Sequence, residues 1–192
     1  AVPAKNKITV PDSVTSIADN ALKAGKATSV YLGKKVKMIG KDAIAGKKIT
    51  KVSIAKKNKS IAKQGQCVYE KKSGKLLIAI AKKNVVKIGN KVKLISEDAS
   101  LCGSRQLKKL DIGASVKTLQ GAWGEFYRAG YVTTTKVYFR SKNPPKLTQN
   151  NDKNYCYLPI FRDVYVPKAS LNKYKKWYKK NDALQFARIK TF

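Results

Sequence analysis

The sequence contains no histidine, one methionine, two tryptophans, three cysteines and only 11 acidic residues among 192. Without histidine it lacks the side chain that most often moves protons or binds metals near neutral pH. Glu97 and Asp98 are the single pair of adjacent acids, and Asp98 occupies a recurring turn position, so a hydrolytic centre would have to be assembled from loops without a recognisable signature. The reading is non-enzymatic, and no cofactor is expected. Cys67, Cys102 and Cys156 lie 35 and 54 residues apart, which fits no metal-ligand spacing, and three thiols cannot all pair within one chain. They read as packed thiols. Long apolar runs are also missing. The longest, Leu76 to Ala81, has the length of a strand and falls far short of the ~18 residues that span a bilayer. The scarcity of acids leaves 42 Lys plus Arg largely unbalanced, for a net charge of +31. Such a charge favours anionic partners: acidic polysaccharide, nucleic acid, acidic lipid or an acidic protein surface.

What the chain does have is a repeating apolar cadence, V-x-I-x-x-x-V-x-x-I in its cleanest form. It reads Ile8, Val10, Val14, Ile17; then Val30, Leu32, Val36, Ile39; then Val86, Ile88, Val92, Ile95; then Leu110, Ile112, Val116, Leu119. Val52, Ile54 and Ile61 keep the spacing with Asn58 in the third slot, and the pairs Val137 with Phe139 and Val164 with Val166 keep its opening. Units begin at 8, 30, 52, 86, 110, 137 and 164, in steps of 22, 22, 34, 24, 27 and 27. These steps predict a β-rich α/β solenoid of about seven rungs, right-handed as connected parallel strands usually are. The first two landmarks of a unit share one side of a strand, and the next two mark a second turn that re-enters the core. Bends are supplied between them by Pro11-Asp12-Ser13, Gly33-Lys34-Lys35, Gly89-Asn90-Lys91 and Gly113-Ala114-Ser115.

Asp42 and Asp98 recur just before an Ala and Asp19 lies one residue earlier in its unit, and N-capping of a short helical turn is their expected role. The 34-residue step contains Cys67 to Ala81, two strand-like runs around Ser73-Gly74. It reads as an inserted β-hairpin projecting from the solenoid, whose deletion should leave the stack intact. Residues 141–163, with Asn143-Pro144-Pro145, read as a long loop. Beyond the strand at Val164, Leu171, Tyr174 and Tyr178 share a helical face that should cap the open edge of the last rung. A single domain, 1–192, is expected: 1–7 lead in, 8–140 repeat with the insertion at 67–81, and 164–192 hold the last strand and the cap.

These residues resemble the BspA-type leucine-rich repeat proteins of bacterial surfaces. The match rests on Ile8 to Leu22, similar to the family's proline-containing strand and following turn; on Asp98 to Gly103, similar to its Ala-Phe-x-x-Cys element; on Val68 to Ile78, similar to its inserted hairpin; and on Asn143 to Leu147 with Val164 to Tyr174 and Trp177, similar to its C-terminal unit. Ile44, Ser100 and Trp123 stand where Phe would be usual, and Ala and Lys replace the proline after most strands. The resemblance implies a leucine-rich repeat domain in a secreted or cell-surface bacterial protein, in a family whose members include adhesins. It carries over no ligand.

The candidate contact surface is the outward face of the strands, where stacked rungs set side chains in columns about 4.8 Å apart. Tyr31, Lys51, Lys87, Lys109, Tyr138, Arg140 and Tyr165 lie there, a mixture of rings and cations suited to sugars, sulfated chains or matrix protein. The plainer alternative is that Tyr suits exposed strands and Lys keeps them soluble. A second basic stripe, Lys35, Lys37, Lys57, Lys59, Lys91, Lys93 and Lys117, flanks the third landmark. Neighbouring charges about 5 Å apart repel by roughly 0.8 kcal/mol in water before salt screening; the stripe is either a solvated face or a polyanion track. The Trp123 to Tyr131 segment, with Phe126 and Tyr127, reads as the buried side of one repeat. No recognition helix, RNA-binding sheet signature or zinc knuckle is visible, so any nucleic-acid binding would be sequence-blind and salt-dependent.

The expected function is that of a surface or secreted adhesion module, monomeric, binding an extracellular protein or acidic glycan through the strand face. The competing expectations are a structural spacer without a ligand of its own and, third, a sequence-blind polyanion binder. The chain opens Ala-Val-Pro-Ala rather than with Met, so a removed upstream segment, signal or anchor, is also expected.

Overall fold

The computed structural model describes residues 6–22, 26–46, 48–104, 106–121, 136–148, 163–181 and 187–192. Along the chain, β1 (Lys7–Val10) bends into β2 (Ser16–Ile17), β3 (Ser29–Leu32) bends into β4 (Met38–Ile39), and β5 (Lys51–Ile54) opens the third rung. β1, β3 and β5 pair in parallel with Ile8, Val30 and Val52 in register, and β2 pairs β4 with Ile17 opposite Ile39. The landmarks therefore stack as the cadence requires. Val30, Leu32, Val36, Ile39 and Val52 are buried, and each such side chain contributes roughly 1.5–3 kcal/mol relative to exposure.

The 22-residue step also appears in polar contacts between rungs. The Asp12 carboxylate accepts from the Lys34 N–H, and that of Asp19 accepts from the Lys41 N–H, both at 2.8 Å. Asp19 is thus a tie between rungs rather than an N-cap. Asp98 is not an N-cap either: it pairs with Lys75 at 2.6 Å and precedes a strand. Asp42 is buried with a φ of 51°, and no helix follows it among the described residues. At the bends the rungs touch closely enough to demand glycine. A Cβ on Gly33 would lie 2.4 Å from the Pro11 carbonyl oxygen, and one on Gly113 would lie 2.6 Å from that of Ile88.

The insertion forms β6 (Ile61–Gln64), β7 (Cys67–Glu70) and β8 (Leu76–Ile80), an antiparallel meander. The stack resumes with β9 (Val85–Ile88), β10 (Leu94–Ser96) and β11 (Ser100–Cys102). The hairpin does not project. β8 runs parallel to β11, and all five of its residues are buried. Leu77, Ile78 and Ile80 join the core of the early rungs, while Leu76 and Ala79 join that of the later ones. An unbroken apolar run is what a strand covered on both faces needs, so removing 67–81 would open both cores.

The later rungs are built on β12 (Lys109–Ile112), β13 (Thr118–Gln120), β14 (Lys136–Phe139), β15 (Lys146–Thr148) and β16 (Asp163–Val166). Val86, Leu110, Val137 and Val164 stand in register across β9, β12, β14 and β16. β10, β13 and β15 form a second side. Lys146–Thr148 is therefore a strand within the segment read as loop; residues 149–162 lie outside the described residues, as do Cys156 and the segment from Trp123 to Tyr131.

α1 (Leu171–Lys180) buries Tyr174 and Tyr178, and Phe139 meets Tyr174 and Trp177 at ring centroid distances of 5.4 and 5.8 Å. The helix closes the end of the apolar interior. The sheet edge it was expected to cover is taken instead by β17 (Arg188–Thr191), which pairs in parallel with β16. With Ile189 as its one inward landmark, β17 lacks the second member of the cadence, Thr191 standing in that slot, and so the repeat pattern does not reveal it.

Candidate functional site

The strand face is not one surface. β1, β3 and β5 make one sheet, and β9, β12, β14, β16 and β17 make another. The turn between β6 and β7 lies at the break, where its side chains complete the edge of β9. Gln66 accepts from the Lys87 N–H and donates to the Val85 carbonyl, both at 2.8 Å, and Gln64 accepts from the Lys91 N–H at 3.2 Å. The Cys67 thiol donates to the Lys87 carbonyl at 3.4 Å.

Of the seven candidate residues, Tyr31 and Lys51 stand on the first sheet, and Lys87, Lys109, Tyr138, Arg140 and Tyr165 on the second. On the second sheet the register forms the column Lys87, Asp111, Tyr138, Tyr165, Lys190. Tyr138 and Tyr165 stack at 4.5 Å with planes 8° apart. The Lys109 ammonium sits 4.1 Å from the Tyr138 ring centre and the Arg140 guanidinium 5.2 Å from it. Arg140 also lies 4.5 Å from the ring of Phe192, a half-exposed side chain. Lys190 lies 5.6 Å from the Tyr165 ring. Among the described residues, Tyr31 stands between Thr9 and Ser53 and has one cation over its ring, Lys7 at 5.7 Å.

Two aspartates organise these cations. Asp111 receives both arms of the Arg140 guanidinium at 2.7 Å and has the Lys109 ammonium 3.6 Å away. Asp163 receives Arg188 at 3.0 and 3.1 Å and pairs with Lys190 at 3.0 Å. Burial alone would raise the Asp111 carboxyl; the hydrogen bonds and charge of Arg140, aided by Lys109, outweigh it and hold the group below the usual carboxylate range. The Asp163 carboxyl is likewise held down by Lys190 and Arg188 against the opposing effect of burial. The same clasp raises the Arg140 guanidinium further. Charge matching in this form depends on lateral register. Asp163, Arg188, Lys190 and Phe192 were not among the expected contact residues, because they acquire their place only through β16 and β17.

The second basic stripe is divided by the same break. Lys35, Lys37, Lys57 and Lys59 belong to the early rungs, and Lys91, Lys93 and Lys117 to the later ones; all seven are exposed. The Lys117 N–H donates to the Lys93 carbonyl and the Lys146 N–H to that of Lys117, both at 2.8 Å. Lys146 therefore continues the later row, one rung beyond the residues the spacing identified.

Cys67 and Cys102 are buried free thiols. Burial pushes them to about 11 and about 12 respectively, against a smaller opposing effect of backbone hydrogen bonds from Gly89 and Gly46, so neither is a nucleophile at neutral pH. Among the described residues, no group of three or more His, Cys, Asp or Glu side chains is placed to hold a metal ion. No helix among them is long and apolar enough to cross a membrane.

Stacked parallel rungs with inward aliphatic ladders, a wound-in hairpin and a terminal helix define a leucine-rich repeat solenoid. Residues 4–127 match the model of the BspA type leucine rich repeat region in six copies, and the chain belongs to that family. Such repeats serve as protein-interaction or structural modules. Among solved structures, a leucine rich cell surface protein from Faecalibacterium prausnitzii is similar at 13% identity and a TM-score of 0.44, over 97% of this chain and 59% of that one. The chain thus spans about three-fifths of that protein's length. No curated protein matches it.

Proposed function

We propose that this chain is a non-catalytic recognition module of a secreted or cell-surface protein, and that it engages an acidic extracellular macromolecule, glycan or matrix protein, through the face of the second sheet. The observation that carries this reading is the Tyr138–Tyr165 stack flanked by Lys109, Arg140 and Lys190 and bordered by half-exposed Phe192. Aromatic planes beside cations, held in place by the rungs, suit ring stacking and charge pairing with little side-chain ordering left to do on contact. Lys87, Lys109 and Arg140 remain candidate contacts here. Tyr31 and Lys51, on the other sheet, would serve a separate contact.

One observation favours the spacer reading: the Arg140–Asp111 clasp and the stacked tyrosines already satisfy one another. A glycan and matrix-protein array at physiological salt separates the two. Tyr138→Ala and Arg140→Ala should each lose captured ligands if the face binds. A wild-type chain that captures nothing would refute recognition and leave the spacer.

A further inference from the structure

The break between the sheets has two sides that are treated unequally. The β9 side is closed by Gln64, Gln66 and Cys67, as described above. The β5 side carries one contact among the described residues: the Lys63 ammonium donates to the Val52 carbonyl at 2.8 Å. Lys51 and Ala55 direct their N–H groups to the Thr28 and Leu32 carbonyls of the preceding rung. By the alternation of a parallel ladder, Val52 and Ile54 turn their backbone groups to the open side. A cleft of about 370 Å³ lies there, and Lys51, Lys56, Lys63 and Lys71 line it together with Val52 and Ile54, with no acidic side chain among the described residues of its wall.

We propose that this cleft docks an extended acidic peptide segment, which adds as a strand to the free edge of β5 and places its carboxylates among the four lysines. A strand edge offers donors and acceptors in line at strand spacing, which a peptide backbone matches and a sugar chain does not. Lys63 holds the place of the missing strand. Burial, together with Lys82 and Lys51 nearby, holds its ammonium below the usual lysine range, so an arriving carboxylate relieves a crowded charge. The ammonium of Lys71 is likewise directed at a backbone carbonyl, that of Asn58, at 2.7 Å. None of the ion pairs formed among the described residues uses any of the four. The site is separate from the face of the second sheet and stands or falls independently of it.

The test is fluorescence anisotropy with a short labelled peptide alternating Asp and Val, at physiological salt. Saturable binding is expected, weakened about tenfold by Lys63→Ala, the loss of one charge-assisted contact, and unchanged by Lys168→Ala, which removes an exposed lysine that belongs to neither surface. N-methylation of alternate peptide amides, which keeps the charge and removes the strand donors, should abolish binding in one of the two possible phases. Equal binding of both N-methylated peptides and the parent would overturn strand addition. So would displacement of the parent peptide by a sulfated oligosaccharide of equal charge with the same sensitivity to Lys63→Ala, since charge alone would then account for the site. A matched thermal melt of Lys63→Ala and Lys63→Gln checks that neither change acts by unfolding.

Discussion

Asn58 takes the slot that Val36, Val92 and Val116 fill in other rungs, and it is buried. Its amide donates to the Gly33 and Val36 carbonyls at 2.9 and 3.0 Å, and its carbonyl oxygen accepts from the Ser60 and Ile61 N–H groups, both at 2.9 Å. The neighbouring rung shows why this is needed. There Lys37 and Met38 direct their N–H groups to the Thr15 carbonyl of the rung before, but the third rung leaves the stack to form the hairpin, and its backbone turns to Asn58 instead. Asn58→Val would fit the cadence better and remove all four bonds. At about 1 kcal/mol each the loss is about 4 kcal/mol, offset by about 1.5 kcal/mol for burying the valine. A net destabilisation of about 2–3 kcal/mol follows, or about 5–10 °C in Tm for a chain of this size. Urea and thermal unfolding, followed by circular dichroism, measure it. A variant as stable as wild type, or more stable, would refute the assignment of Asn58 as the polar plug of the early stack.

Ile78→Ala, in the buried strand β8, should cost about 2–5 kcal/mol in urea unfolding, and deletion of 67–81 should yield a chain without a cooperative transition. Asp111→Asn should cost about 1 kcal/mol at pH 7, allowing for solvent screening. Because the folded carboxyl lies below its unfolded value of about 3.9, the clasp is fully present above about pH 4 and lost as pH falls through the folded value; the gap between variant and wild type should close in acid. Cys67 and Cys102 should resist a thiol reagent at pH 8 in the native protein and react on denaturation, as labelling with mass-spectrometric mapping would show. Tyr138→Ala and Tyr165→Ala should be non-additive in stability by about 0.5–1.5 kcal/mol, since each removes the same stack. Tyr31→Ala should add independently to either.

The stacking of the rungs was legible because parallel strands oblige inward aliphatic residues to recur at fixed places in every unit, and Ile8, Val30 and Val52 do so without gap. The fate of the hairpin was legible in part. Its turn and strands follow from Ser73-Gly74 and the flanking apolar runs, but Leu76 to Ala81 shows no alternation, and that mark of a strand buried on both faces points inward rather than away from the stack. The contacts of the candidate face were not legible. Arg140 and Asp111 are 29 residues apart, a diagonal across one rung, and their meeting depends on the register of β12 with β14 rather than on any local pattern. β17 escaped for a different reason: a strand with a single aliphatic landmark and Thr191 in the second slot carries no period.

Register also changes what the net charge of +31 means. Taken as a total it suggests one broad polyanion surface, yet the cations fall into groups with different physical situations. Arg140, Lys109, Arg188 and Lys190 are held by Asp111 and Asp163, which fixes them as geometry more than as free charge. Arg188 and Lys190 also lie on the outermost strand, where charge discourages pairing with a further edge. Lys93, Lys117 and Lys146 stand one rung apart on another side of the coil, exposed to water and salt that screen their repulsion. An anionic partner therefore meets separate sets of lysines divided by the insertion, and the insertion, by ending one sheet and beginning another, decides which cations can act on the same ligand.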